Sequence, residues 1–251
     1  MHFPDELEKE TNNKIANYFC KRLIKSPDSS IAVDYLKERG LYDQDLLEKF
    51  KIGWCPEKQK PIRTLTVDLN GRLIFPIMDE SGDVIAFSGR LPRSNVSKEE
   101  KKWLHESFAK EFCLYGIHAA IENIIKNNFV VIVEGQADVL SCHNYGFTNT
   151  VGLLGTNLSR HSQYFLRSLT KNFVLLMDSD KPGLDSAKKI EESLVAQNTL
   201  MNTSVGGDYG VINVNLSKFV KGVKCDPDSF LKKYKHSGAK KILAEIKERK
   251  K

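Results

Sequence analysis

The sequence predicts an α/β protein, a parallel sheet with flanking helices preceded by a smaller mixed α+β N-terminal subdomain. Three observations carry that expectation. From Asn127 onward, short continuous apolar runs alternate with amphipathic segments, as parallel strands covered on both faces require. Between Leu65 and Arg90 the pattern changes to two apolar runs about a short glycine-containing turn. Ahead of both, apolar residues recur at helical spacing. The division between the two parts is expected at 126/127, giving 1–126 and 127–251.

In the first part, Ile15, Tyr18, Phe19 and Leu23 mark one helix and Ile31, Val33, Tyr35 and Leu36 a second, with Ser26-Pro27 between them. Gly40 closes the second helix, and a third crosses Leu46 to Phe50. Residues 72–78 and 83–88 form the hairpin, turning at Asp79-Glu-Ser-Gly82. Residues 92–111 are polar, basic and without apolar period, so they are expected to be a long loop. In the second part, strands are expected at 129–133, 148–154, 173–177 and 210–214. Helices are expected at 137–145, 160–169 and 184–196, with short helical pieces at 229–234 and 239–249.

The chain has 251 residues, 41% of them hydrophobic, enough for a substantial core in one or two domains. Its 38 basic and 32 acidic residues leave a net charge of +6, which permits an anionic partner without specifying one. No run approaches the roughly 18 apolar residues of a membrane span, and the N-terminus is acidic rather than signal-like, so no membrane association is expected. The five cysteines form no C-x-x-C pair. No zinc site is expected, and a reducing, cytoplasmic setting fits.

The chemistry lies in the residues directly after the strands. The run ending at Val133 leads into Glu134-Gly135, with Asp138 one helical turn on, and the run ending at Met177 leads into Asp178-Ser-Asp180. Carboxyl ends of parallel strands are where open α/β sheets bind ligands. Carboxylates gathered there raise one another's pKa unless a cation lies among them, and Mg²⁺, an oxygen-seeking ion, suits such a set. A third cluster, Asp226-Pro-Asp228, repeats the spacing; in an extended segment both side chains would fall on one side. Each of these aspartates has an ordinary alternative, and Asp180 and Asp226 could each simply cap a following helix.

Glu-Gly after one strand and Asp-x-Asp after another resemble the signature of the Toprim domain. The surrounding segments sharpen the resemblance: Val133-Glu-Gly-Gln-Ala-Asp-Val139, Leu153-Leu-Gly-Thr-Asn-Leu158, Leu176-Met-Asp-Ser-Asp180 with Gly183, and Lys224-Cys-Asp-Pro-Asp-Ser-Phe230. Ahead of them stand Gly71-Arg-Leu-Ile-Phe-Pro-Ile77, Ala86-Phe-Ser-Gly-Arg90, Lys102-Trp-Leu104 and Leu114-Tyr-Gly116. In that order these look like the catalytic core of the bacterial-type, DnaG-like DNA primase, over residues 12 to 240.

The resemblance implies an RNA polymerase that starts short primers on single-stranded DNA from ribonucleoside triphosphates, a nucleotidyltransferase of DNA replication. It implies Glu134, Asp138, Asp178 and Asp180 as catalytic residues, and Glu134, Asp178, Asp180, Asp226 and Asp228 as ligands of Mg²⁺ or Mn²⁺. It implies Arg72, Arg90 and Lys102 as nucleotide- and template-binding residues, within a basic stretch from 63 to 110. A replicative helicase or a separate zinc-ribbon subunit is the further partner expected. The alternatives are a Toprim nuclease and a non-catalytic DNA-binding subunit of a replication complex. Trp103 is expected either to stack a base or to pack half-buried. Gln136, where an aromatic is common, and His105-Glu106, in place of Asn-Ser, depart from the family pattern.

Overall fold

The computed structural model describes residues 3–60, 62, 65–93, 100–155, 157–201, 210–220 and 224–249. Arg63, Thr156 of the Leu153–Leu158 motif and residues 94–99 of the expected loop lie outside the described residues. The chain divides into two compact units, Met1–Ala109 and Lys110–Lys251. That division falls ahead of 126/127 because a helix at Ile117–Asn127 buries Ile117, Ala120 and Ile124 in the core of the second unit.

The first unit opens with α1 (Glu6–Lys25). It starts earlier than the apolar spacing suggests because Asp5 and Glu8 form a reciprocal capping box, each side chain accepting from the other's backbone N–H. α2 (Ser30–Arg39) ends at Gly40, whose φ of 70° suits a residue without a Cβ, and α3 (Gln44–Lys49) comes next, capped by Asp43. Strands β1 (Gly53–Cys55), β2 (Arg72–Met78), β3 (Val84–Arg90) and β4 (Trp103–His105) form an antiparallel sheet in that order. The hairpin turn is held by Asp79, whose Oδ1 accepts from the N–H groups of Ser81 and Asp83 at 3.0 Å each. β4 corrects the expectation of a continuous loop over 92–111: Ser88 faces His105 and Arg90 faces Trp103 across the ladder.

The core of this unit joins Ala16 and Phe19 of α1 to Ile74, Met78, Val84 and Phe87 of the sheet. Buried beside it is Glu106, which accepts from the N–H of Phe87 and the N–H of Thr66, both at 2.9 Å. Burial raises its pKa while those two bonds oppose the rise.

The second unit contains β5 (Val130–Val133), β6 (Thr150–Gly152), β7 (Asn172–Leu175) and β8 (Gly210–Asn213), all parallel, in the order β6-β5-β7-β8. The helices are α4 (Ile117–Asn127), α5 (Gln136–Asn144), α6 (Arg160–Leu169), α7 (Lys181–Met201) and α8 (Pro227–Arg249). Val130 and Ile132 pack with residues of α4, α6 and α7, while Val131 and Val133 are equally buried on the other face, so the sheet is covered on both sides. α8 is interrupted at Lys235 (φ 48°, ψ −137°), which separates two helical pieces much as the sequence suggests. No helix of the described residues is long and apolar enough to cross a membrane.

One close approach fixes α1 against β1: a Cβ added to Gly53 would lie 2.5 Å from Phe19 Cβ and 2.7 Å from Phe19 C. Gly53→Ala should therefore cost about 1–3 kcal/mol of stability through overpacking, read as a lower urea midpoint with unchanged slope. An unchanged midpoint would show that α1 is not seated on β1.

Candidate acidic site

β5 and β7 are hydrogen-bonded neighbours, with Val130 opposite Phe173 and Ile132 opposite Leu175. Their carboxyl ends therefore deliver Glu134 and Asp178 to the same edge of the sheet, as the sequence predicts. The N–H of Asp178 donates to Glu134 Oε1 at 3.3 Å. The turn after Asp178 is closed by Asp180, whose Oδ1 accepts from Gly183 N–H at 3.0 Å at the start of α7. Gly183 has no room for a side chain: a Cβ there would lie 2.4 Å from Asp178 O and 2.8 Å from Glu134 Oε1.

The third cluster comes in from the start of α8. Ser179 N–H donates to Cys225 O at 3.0 Å, and Cys225 N–H donates to Ser179 Oγ at 2.7 Å, so the loop after β7 and the entry to α8 are laced together. Asp226 caps α8, accepting from Ser229 N–H at 2.6 Å. The helix-cap alternative thus holds for both Asp180 and Asp226, and it is compatible with their place in the site. The extended geometry expected of Asp226-Pro-Asp228 is not found, because Pro227 begins a helix, where its missing N–H costs nothing.

That helix carries Asp228 into the interior, where it is 2% exposed and accepts from the Ser141 hydroxyl. Its N–H in turn donates to Asp138 Oδ1 at 3.1 Å, while Asp138 Oδ2 accepts from Gly135 N–H at 3.2 Å. Asp138 and Asp228 therefore tie the turn after β5 to the start of α8, and both are buried. Ser141 is not among the expected site residues; its place one turn beyond Asp138 on α5 is the signal that could have found it.

The electrostatics follow the burial. Burial, reinforced by Glu134, Asp226 and Asp180, pushes the Asp178 carboxyl up to about 7. Burial also raises Glu134, and raises Asp138 well above the ordinary range with Asp226, Asp178 and Asp228 adding to the effect. Asp180 is the exception, held low by Lys224, whose Nζ lies 2.5 Å from Asp180 Oδ2, and by Gly183 N–H. Among the described residues no group of three or more His, Cys, Asp or Glu side chains forms a ready-made metal cage. The donors nonetheless fit a hard divalent cation: they are oxygens only, Glu134, Asp178, Asp180 and Asp226 are partly exposed, and Asp178 has a charge that Lys224 offsets only in part.

The three expected basic residues all lie in the first unit. Arg72 is 8% exposed, and its Nη1 donates to the carbonyls of Lys101 and Lys102 at 2.9 and 3.4 Å. Arg90, also 8% exposed, lies over the rings of Tyr35 and Trp103 at 5.3 and 5.2 Å. Lys102 alone of the three has an exposed side chain. Trp103 is half-buried, 5.1 Å from Phe75 and stacked on His105.

Two family profiles match: a Toprim domain over residues 128–203 and the DNA primase catalytic core, N-terminal domain, over residues 63–121. Together they support a DnaG-like primase core with a Toprim domain. The chain is 26% identical to the DNA primase of Staphylococcus epidermidis and 28% identical to that of Listeria monocytogenes, covering 97% and 89% of this chain. It spans 43% and 37% of those relatives' lengths. Among solved structures it superposes on a DnaG catalytic core with a TM-score of 0.77 at 22% identity, over 96% of this chain and 79% of the other. It superposes on the zinc-binding and RNA polymerase domains of the Aquifex aeolicus primase with a TM-score of 0.74 at 26% identity, over 98% of this chain and 62% of the other.

An acid whose pKa is higher in the folded than in the unfolded protein binds its proton more tightly when folded, so stability falls as pH rises between the two values. For Asp178 that window runs from about 4 to about 7. Without divalent metal, Asp178→Asn should stabilise the protein at pH 8 by about 1–2 kcal/mol, allowing for solvent at a half-buried group, and little at pH 4. Equal melting temperatures for variant and wild type at pH 8 would contradict this electrostatic reading.

Proposed function

We propose that the chain is the polymerising core of a DNA primase, a nucleotidyltransferase that makes short RNA primers on single-stranded DNA from ribonucleoside triphosphates. The observation that carries this is the convergence of Glu134 and Asp178 on adjacent parallel strands in a chain that matches both halves of the primase core. The match over residues 63–121 weighs against a Toprim nuclease, which has no need of a primase N-terminal domain. Partly exposed carboxylates that burial raises, Glu134 and Asp178, weigh against a subunit that only binds DNA.

In this reading Glu134, Asp178, Asp180 and Asp226 hold Mg²⁺ or Mn²⁺. The metal, when bound, supplies charge that favours ionisation of an attacking hydroxyl and stabilises the departing pyrophosphate. Asp178 N–H fixes the Glu134 carboxylate with one oxygen engaged and the other left for a ligand. Asp138 and Asp228 position the turns and do not touch the reacting groups. Arg72 shapes the segment that carries Lys102, and Lys102 presents a mobile positive charge to phosphate. The partners proposed are a single-stranded DNA template, ribonucleoside triphosphates, a replicative helicase and a zinc-ribbon unit.

With a single-stranded template, ribonucleotides and Mg²⁺ or Mn²⁺, the protein should make oligoribonucleotides. Glu134→Gln and Asp178→Asn should each lower the rate by at least about 100-fold, since each removes a charge placed where the reaction develops its own. Synthesis that survives both changes defeats the mechanism. Lys102→Ala should weaken template binding and reduce its salt dependence by about one charge without altering stability, whereas Arg72→Ala should cost about 1–3 kcal/mol by orphaning two carbonyls. A Lys102→Ala protein with wild-type salt dependence would remove that residue from the binding surface.

A further inference from the structure

We propose that Lys224 is a built-in cation that occupies the acidic site while no divalent metal is bound and is released when one enters. This rests on the metal-binding role proposed above. Lys224 Nζ lies 2.5 Å from Asp180 Oδ2, the closest cation contact in the site among the described residues. Asp180 Oδ1 is engaged by Gly183 N–H, so Oδ2 is the oxygen through which Asp180 would meet a cation. The lysine therefore sits where one of the metal's ligands would have to turn.

Its influence extends past Asp180. Lys224 also lowers the carboxyls of Asp178 and Glu134, the two groups that burial raises, so a single ammonium partly offsets the charge of three expected metal ligands. The contact is built to open. The Lys224 side chain is 66% exposed and Asp180's 24%, and an ion pair so open to water holds weakly. A divalent ion brings twice the charge to the same oxygens, with a geometry that engages several of them at once. Lys224 stands two residues before Asp226, the cap of α8, so its backbone is anchored through Cys225 and Ser179 while its side chain swings.

The test uses the full chain without nucleotide, with Mn²⁺ as probe. Mn²⁺ affinity is measured by calorimetry for wild type, Lys224→Gln and Lys224→Arg. The glutamine variant, lacking the competitor and its charge, should bind about tenfold more tightly, and the arginine variant should stay within about threefold of wild type. In parallel, trace acetylation of the Lys224 amine is followed by peptide mass spectrometry with and without saturating Mn²⁺. Lys224 should react several-fold faster at saturating Mn²⁺ than in the metal-free protein, while Asp178→Asn, expected to lose the metal, should show no gain. Unchanged Lys224 reactivity at saturating Mn²⁺, or a glutamine variant that binds no more tightly than wild type, overturns this proposal alone. Absence of Mn²⁺ binding in every variant overturns the metal reading and this proposal with it.

Discussion

A backbone N–H of Asp178 donating to Glu134 Oε1, across the gap between the ends of two parallel strands, is the contact round which the second unit is organised. It brings two carboxylates closer than they would choose. The strands can do so because Val130–Val133 and Phe173–Leu175 are buried and three consecutive residues of each pair across the ladder, so neither end is free to drift from the other. The apolar core thus buries acidic groups at the strand ends, and that burial, more than their mutual repulsion, displaces Asp178, Glu134 and Asp138 upward.

The six acidic residues divide their work by burial. Asp138 and Asp228 are buried and hold the β5 turn against α8, with Ser141 completing the chain of bonds. Asp180 and Asp226 each spend one oxygen on a helix N-terminus, and the second oxygen of Asp180 meets the Lys224 ammonium. Capping and ligation are usually weighed as rival explanations of an aspartate after a strand. The two are compatible, since a cap fixes the rotamer that a ligand would need. Gly183 belongs to the same arrangement, because the turn comes so near Asp178 O and Glu134 Oε1 that only a glycine passes.

Much of this was legible in the sequence, and the exceptions have physical causes. The strand–carboxylate units at Glu134 and Asp178 are local, so their placement followed from the apolar runs before them. β4 was not legible: Trp103-Leu-His105 is three residues long beside lysines, and only the open edge of β3 makes it a strand. The burial of Asp228 depended on a partner 87 positions away in sequence, which no spacing rule reveals. α4 is different, since Ile117, Ala120, Ile121 and Ile124 have the spacing of an amphipathic helix; its absence from the expected elements is what displaced the expected boundary to 126/127. The early start of α1 was also readable in Asp5 and Glu8, although its exposed first turns lack the apolar period that marks the rest.

Arg72 and Arg90 show why residue type does not settle role. They are separated by one pairing step on β2 and β3, Leu73 lying opposite Arg90, so their side chains leave opposite faces of the sheet. Arg72 crosses Gly89, whose missing side chain makes room for it: a Cβ there would meet Arg72 Cδ at 3.0 Å and Leu69 Cδ2 at 2.7 Å. Beyond that gap its guanidinium reaches the carbonyls of Lys101 and Lys102. The glycine of the Ser-Gly-Arg motif is therefore explained by Leu69 and by the arginine of the neighbouring strand, not by its own backbone. On the other face the Arg90 guanidinium rests on Tyr35 and Trp103, whose ring faces favour a cation that has given up water. In the folded unit Arg72 supports the strap that bears Lys102, and Arg90 is held in place by aromatic rings.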